Sequence, residues 1–113
     1  MTARNPLLIA PPYQVEQALQ KLGADLRTAR LRRNLTIAEV AQKVGAGSRA
    51  VADAEKGKPS TSIAIYAALL WTFDLIGNLK EAADPDKDEA GKILAHAKGR
   101  RRARAGGELN NDF

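Results

Sequence analysis

The stretch that decides the fold is TIAEVAQKVGAGSRAVADAEKG, residues 36–57, whose pattern predicts two short helices joined by a tight turn. Thr36 and Glu39 have the spacing of a capping box, in which each residue satisfies a free amide of the other. Gly45 is expected to end the first helix, because glycine readily adopts the left-handed conformation found at helix ends. Four apolar residues recur between these signals at i, i+3, i+4 and i+7 and predict one buried face: Ile37, Val40, Ala41 and Val44.

The second helix is expected to begin at Gly47 or Ser48 and to end before Gly57, with Val51 and Ala54 buried. Two short helices joined by such a turn are typical of a helix-turn-helix, whose second helix enters the major groove of DNA. The outer face of that recognition helix would carry the candidate base-reading residues Ser48, Arg49, Ala52 and Asp53. The alternative is an ordinary helix pair of a small bundle with a solvated outer face.

Residues 26–75 resemble the Xre-type helix-turn-helix domain of lambdoid phage repressors and their bacterial relatives. The resemblance rests on LTIAEVAQKVG, VADAEKGKPS and SIAIYAALLWTFDL. It implies an all-α fold, a compact five- to six-helix lambda-repressor-like DNA-binding domain, and a pair between Arg30 and Glu55 that braces the recognition helix. The sequence departs from the family at Ile37, where glutamine is often found, and at Gly47 or Ala46, where the usual Thr or Ser cap is missing.

Composition favours an anionic partner. The chain has 113 residues and a net charge of +5, which for a single small domain with tails points to nucleic acid. Aromatic residues make up only 4%, which argues against a platform for stacking single-stranded bases. The absence of cysteine excludes disulfides and thiolate metal sites. No apolar run is long enough for a membrane span or a secretory signal, so a cytoplasmic location is expected.

The chain is expected to divide into four parts. Residues 1–12 contain three prolines and predict an extended N-terminal arm, with a poorly ordered tail as the alternative. Residues 13–83 form the helix-turn-helix domain, whose first helix has Gly23 as a weak point and ends at Asn34 in a left-handed conformation. Residues 84–98 form an additional helix that starts at Asp84 and Pro85. Residues 99–113 form a flexible basic tail.

Each candidate DNA contact has its own chemistry. Arg49 suits bidentate hydrogen bonding to guanine, Ala52 suits a thymine methyl, and Asp53 either accepts from cytosine or is neutralised by Arg49. For the arginines at the end of the first helix, the alternative to phosphate contact is interaction with the helix dipole. For the loop after the recognition helix, the alternative is simple solvation. The candidate phosphate contacts are Thr36, Arg32, Arg33, Lys56, Lys58, Ser60 and Thr61.

The helix that begins after Ser62 is apolar on nearly every face and must be covered. We expect the core stripe to run through Ile63, Tyr66, Ala67, Leu70 and Phe73. The remaining apolar residues are expected to pack on the next helix or on a second copy of the chain, because a dimer places two recognition helices about 34 Å apart. This candidate dimer or partner surface comprises Ile65, Leu69, Trp71, Leu75, Ile76 and Leu79.

The sequence offers little for catalysis. His96 is the only histidine, and the acids around Asp84 have no histidine partners, so no enzyme activity, cofactor or metal site is expected. The overall size, the helix at Asp84 and the basic tail resemble HipB-type antitoxins. That resemblance implies an autorepressor with a HipA-like kinase toxin as partner. The alternatives are a free-standing Xre-type repressor and, from another class, a helical protein-interaction adaptor.

Overall fold

The computed structural model describes residues 5–104. Within this range the chain is all-α, as predicted, with seven α-helices, one 3-10 helix and no β-strand. The described residues divide into two compact units, with the boundary between Leu79 and Lys80. No helix of the described range combines the length and the apolar character needed to cross a bilayer. The helices are α1 (Pro6–Ile9), α2 (Tyr13–Arg32), α3 (Ile37–Val44), α4 (Ser48–Glu55), α5 (Ile63–Thr72), α6 (Ile76–Lys80), the 3-10 helix Pro85–Lys87 and α7 (Glu89–Arg104).

The helix-turn-helix of α3 and α4 forms through the predicted local signals. The amide of Glu39 donates to Thr36 Oγ1 at 3.1 Å, and the amide of Thr36 donates to Glu39 Oε1 at 3.0 Å, which completes the capping box. Gly45 ends α3 with a φ of 73°, and Gly47 is the N-cap of α4 without a side-chain hydrogen bond. Asn34, which follows α2, is also left-handed, with a φ of 55°.

The core of the first unit lies where α2, α3, α4 and α5 meet. Its largest fully buried side chains are Leu26, Val40, Val51 and Leu69. The predicted stripe of α3 is confirmed, because Val40 and Ala41 are buried while its other two members pack partly against the core. The remaining buried apolar residues are Ala29, Ala54, Tyr66, Leu70 and Phe73.

Helices α2 and α4 approach each other at two glycines. A Cβ on Gly23 would lie 2.5 Å from the carbonyl oxygen of Ala54, and a Cβ on Gly57 would clash with the backbone of Leu19. Gly57 also has a φ of 70°, which favours glycine. Gly23 does not interrupt α2, which continues to Arg32, and its missing side chain lets the two backbones approach this closely.

The buried face of α5 differs from the predicted one. Leu69 is only 1% exposed and lies in the core, whereas Ile63 is 68% exposed. The core face consists of Tyr66, Leu69, Leu70 and Phe73, which recur at i, i+3, i+4 and i+7. Because almost every residue of α5 is apolar, its sequence contains no polar stripe that would reveal which side faces solvent.

Both ends of the described range differ from expectation. The arm is not extended throughout, since Pro6–Ile9 form one helical turn that Asn5 caps by accepting from the amide of Leu7 at 3.0 Å. At the other end, Asp84 caps a 3-10 turn before α7 begins, and α7 continues through Gly99 to Arg104. The basic tail predicted from residue 99 is thus helical up to 104, while residues 105–113 and 1–4 lie outside the described residues.

Candidate DNA-binding site

The first turn of α4 presents its polar side chains to solvent. Ser48 and Arg49 are exposed, and the Arg49 side chain retains 87% of its accessible surface. Ala52 is half-buried on the same helix, and the Asp53 side chain is only 22% exposed. Of the four candidate base-reading residues, the two at the N-terminal end of α4 are therefore the most accessible.

Asp53 is held between two cations. Its Oδ1 lies 3.1 Å from Lys58 Nζ and 3.7 Å from Arg49 Nε, although among the described residues no donor makes a well-directed hydrogen bond to this atom. The pairing with Arg49 follows from the i, i+4 spacing. The pairing with Lys58 was missed, because it depends on the left-handed turn at Gly57 that folds the chain back over α4. The carboxylate is thus largely neutralised within the protein.

The far end of α4 is fixed by a buried ion pair. Arg30 donates from Nε to Glu55 Oε2 at 2.6 Å and from Nη2 to Oε1 at 3.0 Å. Its Nη1 donates to the carbonyl oxygen of Leu35 at 2.9 Å. The hydrogen bond with Glu55 raises the pKa of Arg30 and outweighs the opposing effect of burial. One guanidinium therefore joins α2, the segment before α3, and the last residue of α4.

The two arginines at the end of α2 have different surroundings. Arg32 is exposed, and within the described residues it makes no ion pair. Arg33 donates to the carbonyl oxygens of Ala29 at 2.8 Å and Phe73 at 3.2 Å, and its guanidinium lies 5.1 Å from the centre of the Phe73 ring. Arg33 thus links the C-terminal ends of α2 and α5 while it remains exposed, and its contact with a phosphate stays a prediction.

The loop after α4 is anchored by a hydrogen bond from α5. The buried Tyr66 donates its hydroxyl to the carbonyl oxygen of Lys58 at 2.9 Å, and the amide of Thr61 donates to the same oxygen at 3.1 Å. Burial, together with the charge of Asp53, raises the pKa of Tyr66 and keeps this donor protonated. Lys56 and Ser60 are exposed on this loop, while Thr61 and Lys58 are half-buried.

An open groove of about 730 Å³ connects the starts of α3 and α4. Thr36, the N-cap of α3, and Ser48, the first residue of α4, both line it. Helix N-termini carry partial positive charge and free amides, which suit an anionic ligand such as a backbone phosphate. Thr36 Oγ1 accepts from the amide of Glu39 within the capping box, so this side chain lies at the start of α3 where the groove opens.

The candidate dimer surface separates into buried and exposed residues. Leu69 belongs to the core and is removed from this surface, whereas Trp71 is 65% exposed and Leu75 is 37% exposed. Ile63 is 68% exposed and joins this set, although it was assigned to the core stripe. The other members pack partly against the core, namely Ile65, Ile76 and Leu79.

Comparison with known families agrees with the geometry. The helix-turn-helix domain family matches residues 21–83, which is more than half of the chain. Searches of curated proteins and of solved structures returned no match. The matched range contains the capping box, the turn at Gly45, the ion pair of Arg30 and the exposed start of α4. The chain therefore belongs to the helix-turn-helix domain family.

Proposed function

We propose that this protein is a sequence-specific double-stranded DNA-binding transcription regulator whose α4 reads base edges in the major groove. The observation that carries the proposal is the position of Arg49, 87% exposed on the first turn of a helix whose other end is held by a buried ion pair. A fixed helix with an exposed arginine at its N-terminal end can present that side chain to bases in a constant orientation.

The reading contacts are assigned to the first turn of α4. Arg49 would donate two hydrogen bonds to guanine, which contributes about 1–3 kcal/mol of discrimination against another base. Ser48 would donate to or accept from a neighbouring base edge, and the half-buried Ala52 would meet a thymine methyl. Asp53 is better placed to position Lys58 and Arg49 than to read a cytosine, because its carboxylate is mostly covered.

Phosphates on either side of the groove would be held by exposed donors. Arg32 and Lys56 supply charge, and Thr36 and Ser60 supply hydroxyls. The first amides of α4 are also available, since Gly47 provides no side-chain cap. These contacts would set the register of the proposed reading surface on the duplex.

We further propose that two copies act together as a repressor. Ile63 and Trp71 are eight residues apart on α5, both about two-thirds exposed, and a second copy of the chain would remove them from water. A two-fold pair matches a pseudo-palindromic operator, where recognition helices about 34 Å apart enter successive major grooves. Bound across a promoter, such a dimer would block transcription.

The resemblance to HipB-type antitoxins extends the proposal to autorepression with a HipA-like kinase toxin as partner. The support is the additional helical unit that follows the family match. The free-standing repressor differs only in lacking a toxin, so co-purification of a kinase or inspection of the neighbouring gene separates the two. A protein-interaction adaptor, in contrast, would show no salt-dependent operator binding.

The reading assignment is tested with an operator selected from a random duplex library. Arg49→Ala should lower the preference for this operator over random duplex by about 1–3 kcal/mol. Lys56→Ala is the matched control, because it removes one exposed cation beside the proposed phosphate contacts and should weaken binding to both duplexes equally. Equal losses on both duplexes for Arg49→Ala would contradict its reading role.

A further inference from the structure

Helix α7 carries the densest positive charge of the chain. Its sixteen residues, Glu89–Arg104, contain six cations and one acid, a net charge of +5. The segment before it, residues 80–88, has two lysines and four acids. Residues 1–79 reach only +4, with ten cations and six acids spread over a unit about five times longer. The cations of α7 are Lys92, Lys98, Arg100, Arg101, Arg102 and Arg104.

The protein offers these cations almost no compensation along the helix. Lys92 Nζ lies 3.3 Å from Glu89 Oε1, but after Glu89 the sequence has no acid before Glu108. Lys98 and Arg100 are exposed. Like charges three and four residues apart repel each other on a helix, and the helix dipole offsets this only near the C-terminal end. A polyanion would relieve the repulsion.

We infer that α7 is a second DNA-binding element that grips backbone phosphates without reading sequence. This inference rests on the proposed function, because the helix-turn-helix on the same chain brings α7 to the duplex at high effective concentration. A sixteen-residue helix is about 24 Å long, enough to follow several phosphates. Arginine forks suit phosphate oxygens through bidentate hydrogen bonds.

The distribution of apolar residues favours a duplex over a lipid surface. A helix that lies in a membrane interface needs large apolar side chains opposite its cations. In α7 the exposed Ile93 and Leu94 precede the basic stretch, whereas residues 98–104, KGRRRAR, contain alanine as their only apolar side chain. The basic stretch therefore has charge for phosphates but no apolar face to insert into lipid.

The test compares two double variants of the full chain. Lys98→Gln with Arg100→Gln removes two exposed charges from α7, and Lys80→Gln with Lys87→Gln removes two exposed charges that precede it. Binding to a 40-bp random duplex is measured between 50 and 200 mM salt. The α7 variant should have a slope of log affinity against log salt that is shallower by about 1.8 per chain. Wild type should therefore lose about twelvefold more affinity than the α7 variant between the two salt concentrations. The control should keep the wild-type slope.

The outcomes separate this inference from the proposed function. If both double variants have the same salt slope and keep the preference for the operator, the role of α7 is overturned and the proposed function stands. A wild-type chain that binds neither the selected operator nor random duplex would overturn both. Thermal melts should be unchanged, since the substituted residues are exposed. A lipid role would also overturn the inference. It would be shown if wild type binds phosphatidylserine vesicles, the α7 variant does not, and the salt slope of the α7 variant on duplex is the same as that of wild type.

Discussion

Arg30 and Glu55 form a two-point ion pair, at 2.6 and 3.0 Å, that fixes the C-terminal end of α4 to α2. Their side chains are 9% and 7% exposed, so the pair lies away from the solvent that surrounds the start of α4. The arrangement separates two roles on one eight-residue helix: its last residue provides attachment, and its first turn stays exposed, where we propose the contacts with DNA. The third hydrogen bond of Arg30, to Leu35, extends the attachment to the segment before α3.

Removing one partner of this pair should be costly. Glu55→Ala would leave the Arg30 guanidinium buried without its counter-charge, and we expect a loss of about 3–5 kcal/mol in the free energy of unfolding. Urea denaturation followed by circular dichroism measures this loss. The control is Asp25→Ala, which breaks the Lys21–Asp25 pair at 2.7 Å, with side chains 77% and 61% exposed. That pair should contribute less than about 1 kcal/mol. Comparable losses for both variants would contradict the bracing role.

The elements that the sequence predicts well are those specified by neighbouring residues. The capping box of Thr36, the stop at Gly45 and the left-handed Asn34 all depend on groups within a few residues, and the structure contains each of them. The all-α architecture follows from the same kind of local signal. The Arg30–Glu55 contact, by contrast, was implied by the family resemblance and could not be deduced from spacing.

The features that could not be predicted depend on contacts between distant segments. The Arg33 guanidinium donates to the Phe73 carbonyl oxygen at the end of α5, forty residues further along the chain. This contact leaves no pattern in the sequence. Leu69 and Ile63 exchanged their expected positions, since a helix that is apolar on all sides gives no period from which to find its buried face. Lys58 reaches Asp53 only after the reversal at Gly57.

The close approach at Gly23 should make this position intolerant of a side chain. Gly23→Ala gains helix propensity but places a Cβ 2.5 Å from the Ala54 carbonyl oxygen, so we expect a net loss of about 1–3 kcal/mol in the free energy of unfolding. Gly77→Ala is the matched control in α6, where a Cβ would meet no atom within 4 Å. The control should be neutral or stabilised by up to about 1 kcal/mol. A stabilised Gly23→Ala would show that the two backbones can separate without cost.

The capping box should contribute to acid sensitivity. Hydrogen bonds from the amide and hydroxyl groups of Thr36 lower the pKa of Glu39 below its ordinary range, near 4.3. Between the lowered pKa of the folded state and the ordinary pKa of the unfolded state, the unfolded chain binds more protons than the folded chain. The stability that is present above about pH 4.3 is therefore lost as the pH falls through the lowered pKa. Glu39→Gln keeps the capping geometry without titrating. The stability advantage of wild type over this variant should therefore shrink between pH 7 and pH 3, as measured by urea denaturation. An advantage independent of pH would exclude this linkage.

The position of Asp53 predicts a gain of DNA affinity rather than a loss of specificity. Asp53→Asn keeps the shape of the side chain but releases Lys58 and Arg49 from a carboxylate at 3.1 and 3.7 Å. Affinity for the selected operator and affinity for random duplex should both rise, and the salt slope should steepen by about 0.9 for each cation that gains a phosphate. Asp25→Asn on α2 makes the same charge change at an exposed ion pair and serves as the control. If Asp53 instead reads a cytosine, its replacement should lower operator preference by about 1–3 kcal/mol while random binding stays constant, and the role assigned here to Asp53 would be wrong.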